Sequence, residues 1–466
     1  MPRNVEVAKA LQVRRPDGSD PKVEPPQEID IFAAAEPGFT GEGSAIAKVH
    51  FSNAYYRKVR NRGFLRNAWR AVYENGAISK SEETRTLVRE FASHAEPALD
   101  KIYRKLLRDR FIFPPSRGIA AKKSGGTPRP IIISPIVGRI VQRSILDVLQ
   151  SEPELDRYYK NPTSFGGIKG RGVPEAIGAV WTAYKGGASH FIRSDIEGFF
   201  RNIPRLTVLE KISSVIKDEE FNRLLLDATH SELDNLIELG KHADLFPTYD
   251  IGVAQGCCLS PLFGNILLDE FDRQLNGLKV ICIRYIDDFI LLGTNQIKVQ
   301  SAFRSGQRIL SRLGLTAYDP ISNPEKAEIG EIKHGLQFLG CELRPGFVRP
   351  TRKTRTRLLD SIKMMFEKSS ALMADPVRLT RKKLSLTETL RQASNVIKGW
   401  GNQYSFCNDR ELMEGLDSKV DELINDYLDC YIGQLARIEN TEYNHQRRRL
   451  MGVHLLTDSK YDPIIT

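Results

Sequence analysis

Residues 279–293 read KVICIRYIDDFILLG, two apolar and β-branched runs on either side of the acidic pair Asp287-Asp288. Runs of this kind around a short polar break predict two antiparallel strands joined by a tight hairpin. A third acid, Asp195, ends the short apolar run 190–195, which is also a predicted strand. If the strands lie side by side in one sheet, the carboxylates of Asp195 and Asp287 converge at one end of that sheet.

Converging carboxylates require a positive counter-charge. Two ionised carboxylates about 4 Å apart repel by ~1 kcal/mol in water and by several times more when desolvated. Magnesium binds one or two carboxylates together with substrate phosphates, so it is the expected cation. Two such ions about 3.5–4 Å apart can activate an attacking hydroxyl and stabilise the leaving oxygen of a phosphoryl transfer. For the pair Asp287-Asp288 taken alone, a solvated turn is the alternative.

The charge of the chain favours a polyanionic partner. The 466 residues carry a formal net charge of +10. Phosphate binding releases condensed counterions, so separated basic clusters suit a long nucleic acid in a groove. The clusters lie at 57–70, 104–123, 349–357 and 447–449. No uninterrupted apolar run reaches the length of a membrane span, so we expect no membrane association and a cytoplasmic location. The six cysteines have no zinc or disulfide-framework spacing.

Other segments predict mainly helices. Amphipathic patterning predicts helices over 64–110, 139–150, 173–183, 206–239 and 299–313, and over the whole stretch from 349 to 436. The segment 122–133 predicts a hairpin with a basic tip, and a short strand pair is expected near 338–343. A further helix should begin at Ser260, with its hydroxyl capping free amides and Pro261 in the first turn.

Several segments, in chain order, resemble the motifs of reverse transcriptases. Four resemble palm motifs: SDIEGFFRNI (194–203), QGCCLSPLFGNILL (255–268), RYIDDFILLG (284–293) and GLQFLGCEL (335–343). Upstream, KKSGGTPRPIIISP (122–135) and SFGGIKGRG (164–172) resemble fingers motifs. FLRNAWRAVYENG (64–76) resembles the N-terminal extension of group II intron enzymes and their bacterial relatives. Arg201 and Ile286 depart from these relatives, which often carry Asp and Ala there.

The resemblance implies an α+β right-hand polymerase, in which a small antiparallel palm sheet is backed by helices. The implied organisation is a flexible N-terminal arm (1–40), an N-terminal extension with the fingers (41–185), the palm (186–348), a helical thumb (349–436) and a C-terminal tail (437–466).

The resemblance also implies roles at the acids. Asp195 and Asp287 would hold two magnesium ions, for which manganese can substitute, with the Ile196 carbonyl as a further ligand and Asp288 shaping the site. Lys326 matches a lysine that protonates the departing pyrophosphate. A solvated lysine in a polar loop is the alternative for Lys326.

Other matched positions concern the nucleotide and the duplex. Phe200 matches the steric gate that blocks a ribose 2′-hydroxyl, although Phe199 and Phe200 could exchange the gate and core roles. Gln255 would pack beside the incoming nucleotide. Lys123 and Arg129 would grip its triphosphate, with Lys122 as the alternative to Lys123 and solvated surface charge as the competing interpretation. Tyr285 would contact the primer end, and the duplex backbone would be held by Arg349, Arg352, Lys353, Arg355 and Arg357. A solvated helix face is the alternative for these basic residues.

The implied function is an RNA-directed DNA polymerase that adds dNTPs to a primer 3′-hydroxyl on an RNA template, giving a DNA product. No nuclease motif follows residue 436, so a stand-alone bacterial enzyme of antiviral defence, copying a dedicated non-coding RNA, is the expected context. An RNA-dependent RNA polymerase is disfavoured by Phe200. An untemplated or protein-primed DNA polymerase of the same fold and a maturase-like RNA-binding scaffold stay open, as do a partner protein and a homo-oligomer.

Overall fold

The computed structural model describes residues 53–79, 81–122, 127–248, 250–438 and 445–456. The expected arm 1–40 and part of the tail 437–466 lie outside these residues. All described residues belong to one unit of the chain, 51–466. Within them, no helix has both the length and the apolar character needed to cross a bilayer.

The N-terminal half is built around one buried helix. The elements are α1 Ala54–Val59, α2 Arg62–Ala77, α3 Glu82–Ala92, α4 Ala95–Leu107, β1 Arg117–Ala121, β2 Arg129–Ile133, α5 Ile136–Gln150, α6 Arg157–Lys160 and α7 Val173–Lys185. Helix α5 is buried along most of its length, and α1 and α2 pack against it. Asn61 caps α2 by accepting from the amides of Gly63 and Phe64. The predicted hairpin is present, and its first strand begins at Arg117, earlier than the sequence indicated.

A four-stranded antiparallel sheet occupies the middle of the chain, and we call it the central sheet. Its strands are β3 His190–Asp195, β4 Ile281–Tyr285, β5 Asp288–Gly293 and β6 Glu328–Glu331, in the order β4-β5-β3-β6. The helices of this region are α8 Phe199–Asn202, α9 Arg205–Val215, α10 Glu219–Thr229, α11 Leu236–Leu239, α12 Ser260–Asn276 and α13 Gln296–Arg312.

Strands β4 and β5 of the central sheet are largely buried on both faces. Successive side chains of a strand point to opposite faces, and here Phe289 and Leu291 join one apolar core while Ile290 and Leu292 join another. Helices α12 and α13 cover the first face, and α7 packs on β4 and β5 from the second. Burial on both sides explains why residues 281–285 and 288–293 are almost continuously apolar.

One buried carboxylate ties the N-terminal helices to this core. Asp218, which is fully buried, accepts hydrogen bonds from the backbone amides of Tyr55 and Tyr56, each at 2.9 Å. Its other oxygen accepts from the amide of Phe221 at 3.0 Å and so caps α10. One side chain therefore satisfies the free amides of two helices, α1 and α10.

The C-terminal part consists of a small sheet and a helical bundle. The elements are β7 Leu336–Phe338, β8 Cys341–Arg344, β9 Phe347–Pro350, α14 Arg352–Ser370, α15 Pro376–Arg381, α16 Leu386–Gln403, α17 Arg410–Arg437 and α18 His445–Met451. The strand pair expected near 338–343 is thus a three-stranded antiparallel sheet. The helical prediction for 349–436 is confirmed from Arg352 onwards, whereas residues 349 and 350 belong to β9. The whole fold is α+β as the sequence indicated.

The predicted cap of α12 is wrong. The Ser260 hydroxyl donates to the Ala254 carbonyl at 2.6 Å, and the N-cap position is taken by Leu259. The helix begins where the sequence placed it because Pro261 fits a first turn. Ser260 instead closes the preceding loop, which also contains Gln255.

Candidate active site

The strand register brings the three acids to one end of the central sheet. In the β3–β5 pairing, Asp195 lies directly opposite Asp288. Residues directly opposite each other in an antiparallel pair project from the same face, with Cβ atoms about 4.5–5.5 Å apart. Asp287 occupies the turn between β4 and β5, and its carbonyl accepts from the Ile196 amide at 3.2 Å. Strands 190–195 and 288–293 therefore lie side by side as predicted, and the residue directly opposite Asp195 is Asp288, with the predicted Asp287 in the adjoining turn.

The turn at this end has an uncommon backbone conformation. Ile286, the first of the two turn residues, has φ +60°. A β-branched residue rarely adopts a positive φ, because its Cβ crowds the backbone there. The Ile286 carbonyl accepts a hydrogen bond from Arg284 Nη1 at 3.0 Å. A backbone in this region persists where its surroundings hold it.

Arg284 belongs to a buried polar network beneath the turn. Its guanidinium makes a two-pronged ion pair with Asp272 of α12, at 2.8 Å from Nε and 2.6 Å from Nη2. Both side chains are only 1% exposed. Asn265 accepts from Arg284 at 3.1 Å, and Asn161 donates to Asp272 at 3.0 Å. Burial raises the pKa of the Asp272 carboxyl, and the Arg284 guanidinium opposes this shift.

The glycine-rich loop 164–172 packs directly against the same turn. A Cβ added to Gly166 would lie 2.4 Å from Ile286 Cγ1 and 2.6 Å from the Ile286 backbone nitrogen. The Phe165 amide donates to the Arg284 carbonyl at 2.9 Å, and Asn265 Nδ2 donates to the Gly166 carbonyl at 3.2 Å. Residue 166 is thus glycine because the backbone of the loop touches the hairpin.

The sequence did not identify this supporting network. Its signal was nevertheless present, since Arg284 interrupts the apolar strand ICIRY and Asp272 lies on the buried side of α12. Charged residues are rarely fully buried without a partner. A lone arginine in a buried strand therefore predicts a carboxylate nearby, although the sequence does not say which one.

The electrostatics of the acids fit a cation. Burial first, and then the negative charges of Asp195 and Asp287, raise the pKa of Asp288 to about 7, while Arg193 and Lys326 oppose the shift. The donors at this sheet end are carboxylate and carbonyl oxygens, the ligands that magnesium prefers. Among the described residues, no group of three or more His, Cys, Asp or Glu side chains forms a metal site by itself. The acids therefore suit an ion that also takes oxygens from water or phosphate.

Lys326 lies close to the acids. The Tyr318 amide donates to the Asp195 carbonyl at 3.1 Å, and the Lys326 ammonium lies 5.5 Å from the centre of the Tyr318 ring. Lys326 is half-buried and lowers the pKa of Asp288. The structure thus brings Lys326 to the site that the sequence assigned to it.

The two adjacent phenylalanines occupy different environments. Phe199 is 2% exposed and packs on Gly264, where an added Cβ would lie 2.8 Å from its ring. Phe200 is half-buried, and its carbonyl accepts from the Val253 amide at 2.8 Å. The core position therefore belongs to Phe199, and Phe200 is the ring that a ligand could reach.

The loop around Gln255 is joined to the predicted fingers hairpin. The Gln255 carbonyl accepts from the Ile132 amide of β2 at 2.9 Å. Strand β2 begins at Arg129, which is exposed, as is Lys122 on the other side of the hairpin tip. Lys123 lies outside the described residues. The link between the loop and β2 places Gln255 at the base of the strand that starts with Arg129.

The basic residues at the start of the C-terminal helices differ in their surroundings. Arg352, Lys353 and Arg357 are exposed on α14, and Arg355 is half-buried. Arg349 is held by carboxylates instead, with Glu342 at 2.9 Å and Asp409 at 3.5 Å. Arg349 therefore joins β8 and β9 to the start of α17.

An antiparallel sheet with acids at a hairpin, backed by helices and followed by a helical bundle, defines the palm of a right-hand nucleic-acid polymerase. Residues 121–343 match the family described as reverse transcriptase (RNA-dependent DNA polymerase). This matched segment contains every acid of the site.

Curated relatives share parts of the chain. The "Uncharacterized 91 kDa protein in cob intron" of Schizosaccharomyces pombe is 32% identical over 184 residues, 39% of this chain and 21% of that protein. Group II intron-encoded protein LtrA of Lactococcus lactis subsp. cremoris is 28% identical over 216 residues, 45% of this chain and 33% of that protein. Protein YkfC of Escherichia coli is 30% identical over 269 residues, 49% of this chain and 66% of that protein. The chain thus spans 21% to 66% of these relatives' own lengths.

Solved structures show a weaker likeness. A chain of a partial Cas6-RT-Cas1–Cas2 complex is 22% identical, with a TM-score of 0.32 over 55% of this chain and 41% of that chain. Apo telomerase from Candida tropicalis is 14% identical, with a TM-score of 0.38 over 68% of this chain and 62% of that chain. At these scores the likeness has no bearing on function.

Proposed function

We propose that this protein is an RNA-directed DNA polymerase, which adds deoxynucleotides to a primer 3′-hydroxyl and releases pyrophosphate. The observation that supports this most is the register of β3 and β5, which sets Asp195 opposite Asp288 with Asp287 in the adjoining turn. Both strands and the turn lie within residues 121–343, which match the reverse transcriptase family. The proposal includes the division into N-terminal extension with fingers (41–185), palm (186–348) and thumb (349–436).

The acids would bind the metal and orient the primer end. Asp195, Asp287 and the Ile196 carbonyl would hold two magnesium ions, which would activate the 3′-hydroxyl and stabilise the leaving oxygen. Asp288 pairs with Asp195 across the strands and fixes the distance between the two sides of the site. Lys326, with its ammonium beside Tyr318, is positioned to give a proton to the departing pyrophosphate.

The remaining residues would select and hold the nucleotide. Arg129 and Lys123 contact its triphosphate, since guanidinium and ammonium groups both bind phosphate oxygens. Gln255 packs beside the sugar and base, on the loop tied to β2. Phe200 blocks a ribose 2′-hydroxyl, because its neighbour Phe199 is buried and leaves this ring to the cleft.

The test of the chemistry is Asp287→Asn, which removes one charge and keeps the shape of the side chain. We expect this variant to fold and bind RNA like the wild type and to lose polymerisation. Both proteins are expressed with the native flanking DNA, and their copurifying nucleic acid is sequenced. A discrete DNA found only with the wild type supports the proposal and identifies template and priming site. Equal polymerisation by the variant would sink the metal assignment.

The same experiment addresses the biological setting that we infer, a dedicated non-coding RNA copied in the bacterial cytoplasm for antiviral defence. This setting is supported by the likeness of the motifs to stand-alone bacterial enzymes. A DNA with no complement in any copurified RNA would favour untemplated synthesis, and a DNA covalently joined to the protein would favour protein priming. RNA in both samples without any DNA would favour a maturase-like scaffold.

The sugar selectivity has its own test in a matched pair of variants. We expect Phe200→Ala to admit ribonucleotides with little loss of stability, because this ring is only half-buried. Phe199→Ala should instead lower the free energy of unfolding by about 3–5 kcal/mol, since it removes a fully buried ring. Single-nucleotide incorporation of dNTPs and rNTPs measures the first effect. Unchanged discrimination in Phe200→Ala would remove this residue from the gate.

A further inference from the structure

Helix α13 carries an unusual charge pattern. Its seventeen residues, Gln296–Arg312, include Lys298, Arg304, Arg308 and Arg312 but no acidic residue. The apolar side is buried on β3 and β5 of the central sheet. Arg304 and Arg308 are exposed on the outer side, away from that sheet. The palm therefore presents a purely cationic helix face to the solvent.

The exposed side of α13 forms a shallow, open polar surface, which we call the α13 groove. It is lined by Ser301, Arg304, Gln307, Arg308 and Ser311. Hydroxyl, amide and guanidinium groups all donate hydrogen bonds, and these side chains are the ones that contact phosphate and sugar in nucleic-acid complexes. The lining has no aromatic ring for base stacking and no aliphatic anchor for a membrane surface. Its chemistry suits a phosphate backbone.

The two central arginines of the groove are available to a ligand. Within the part of the chain that the structure describes, no carboxylate lies within ion-pair distance of Arg304 or Arg308, and Arg308 donates to the Ser305 hydroxyl at 3.0 Å. On the neighbouring helix α12, by contrast, Arg273 is held by Asp269 at 3.0 Å. The positive charge of the α13 groove is therefore not neutralised by the described part of the fold.

The C-terminal end of the groove lies at the end of the central sheet that carries the acids. Helix α13 follows β5 and returns along the sheet, so its C-terminal end lies at the same end as Asp195. The segment after it reaches the site directly: the Glu197 amide donates to the Thr316 carbonyl at 2.8 Å and the Tyr318 amide to the Asp195 carbonyl at 3.1 Å. The groove lies on the side of the sheet that α13 covers, whereas Asp288 alternates with Phe289 and projects, with Asp195, from the other face.

We infer that the α13 groove binds the phosphate backbone of a structured RNA, outside the cleft that holds the primer–template duplex. The inference rests on the proposed function only in naming RNA as the polyanion. It gives the enzyme a second, sequence-independent binding site for its template RNA. Such a site would favour the binding of long, folded templates over short ones.

The test uses two probes and two double variants. One probe is a short RNA–DNA primer–template duplex, and the other is the same duplex with a long folded RNA extension on the template. The groove variant is Arg304→Gln with Arg308→Gln. The control is Arg223→Gln with Arg410→Gln, which removes the same charge from exposed arginines that already have the carboxylate partners Asp109 and Glu414. Binding is measured across a salt series without nucleotides.

We expect the groove variant to bind the extended probe more weakly, with the slope of log affinity against log salt reduced by about two, one for each lost phosphate contact. It should bind and extend the short probe like the wild type, and the control should match the wild type on both. Unchanged binding of the extended probe, or equal losses on both probes, would overturn the inference. One outcome separates the two proposals. If the wild type does not extend the short probe, but the groove variant still binds the extended probe more weakly than the wild type does, the proposed polymerase function is wrong and RNA binding by the groove is supported.

Discussion

In the central sheet, the hairpin that carries Asp287 is held by a buried ion pair, whereas helices α14 and α17 of the C-terminal bundle meet through a stacked pair of rings. Arg284 and Asp272 are each 1% exposed and joined by two short hydrogen bonds. In the bundle, the rings of Phe366 and Tyr427 lie 4.6 Å apart at an interplanar angle of 8°. Both regions are well packed, but only the first fixes the direction of a backbone turn.

The difference follows from what each region must position. Apolar contacts are non-directional, so a helix bundle can adjust by small shifts without losing much free energy. A bidentate guanidinium–carboxylate pair has a fixed fork geometry and permits one arrangement. The hairpin has Ile286 at φ +60°, which needs such a support. We therefore expect changes beneath the hairpin to cost both stability and activity, and changes in the bundle to cost stability alone.

The largest effect is expected from Arg284→Met. It leaves the Asp272 carboxylate buried without its partner, which typically costs about 3–5 kcal/mol of unfolding free energy. It also removes the donor to the Ile286 carbonyl, so polymerisation should fall further than stability explains. Denaturant unfolding and primer extension at matched folded fraction measure the two losses. Arg284→Lys, which keeps the charge but not the fork, should fall between wild type and Arg284→Met.

The same variant should show a characteristic pH dependence. Without the guanidinium, burial holds the pKa of Asp272 above its unfolded value, so the folded state binds the proton more tightly. Stability then falls as pH rises from the unfolded pKa towards the folded one. The stability gap between wild type and Arg284→Met should be smaller near about pH 5 than near about pH 8. A gap independent of pH would mean that packing, rather than the buried charge, dominates.

A smaller effect is expected where the glycine-rich loop touches the hairpin. Gly166→Ala places a Cβ 2.6 Å from the backbone nitrogen of Ile286, so the turn or the loop must move. Overpacking of this kind costs about 1–3 kcal/mol. Gly178 on α7 is the matched control, because nothing lies within 4 Å of its added Cβ.

Because the clash is with the turn that carries Asp287, primer extension should fall in Gly166→Ala more than its thermal stability suggests. Gly178→Ala should be neutral or stabilise by up to about 1 kcal/mol, as an alanine favours a helix interior. Wild-type extension rates in Gly166→Ala would show that the turn tolerates displacement. The hairpin would then differ less from the bundle in how strongly its packing controls activity.

The sequence predicted the local elements of the site well. The strand 190–195 and the hairpin 281–293 could be predicted because an apolar run and a tight turn are local features of the sequence. The pairing of Asp195 with Asp288 was expected only in outline, since the register depends on the strand order β4-β5-β3-β6. The sequence assigned the gate to Phe200 but left Phe199 as the alternative, because which ring is buried depends on the distant Gly264.

The failures have a common cause in tertiary contacts. Ser260 looked like a cap, but its hydroxyl closes the loop to Ala254 instead. Strand β9 was missed because its partner Cys341–Arg344 had to be known first. The support of the hairpin by Asp272 joins a helix to a strand, and no local pattern connects them. The sequence alone did not show which partner each buried polar group takes.

The smallest effect, and the one that separates the two regions most cleanly, is expected from Tyr427→Phe in the bundle. The Tyr427 hydroxyl lies 2.8 Å from the Ser369 hydroxyl, which in turn donates to the Leu384 carbonyl at 2.7 Å. Its removal keeps the ring stack and loses one neutral hydrogen bond, worth about 1 kcal/mol. Denaturant unfolding should show this loss, while the rate of primer extension stays at the wild-type value. A slower rate at matched folded fraction would show that packing in the bundle also affects the geometry of the active site. The apolar packing of the bundle would then permit fewer arrangements than non-directional contacts imply.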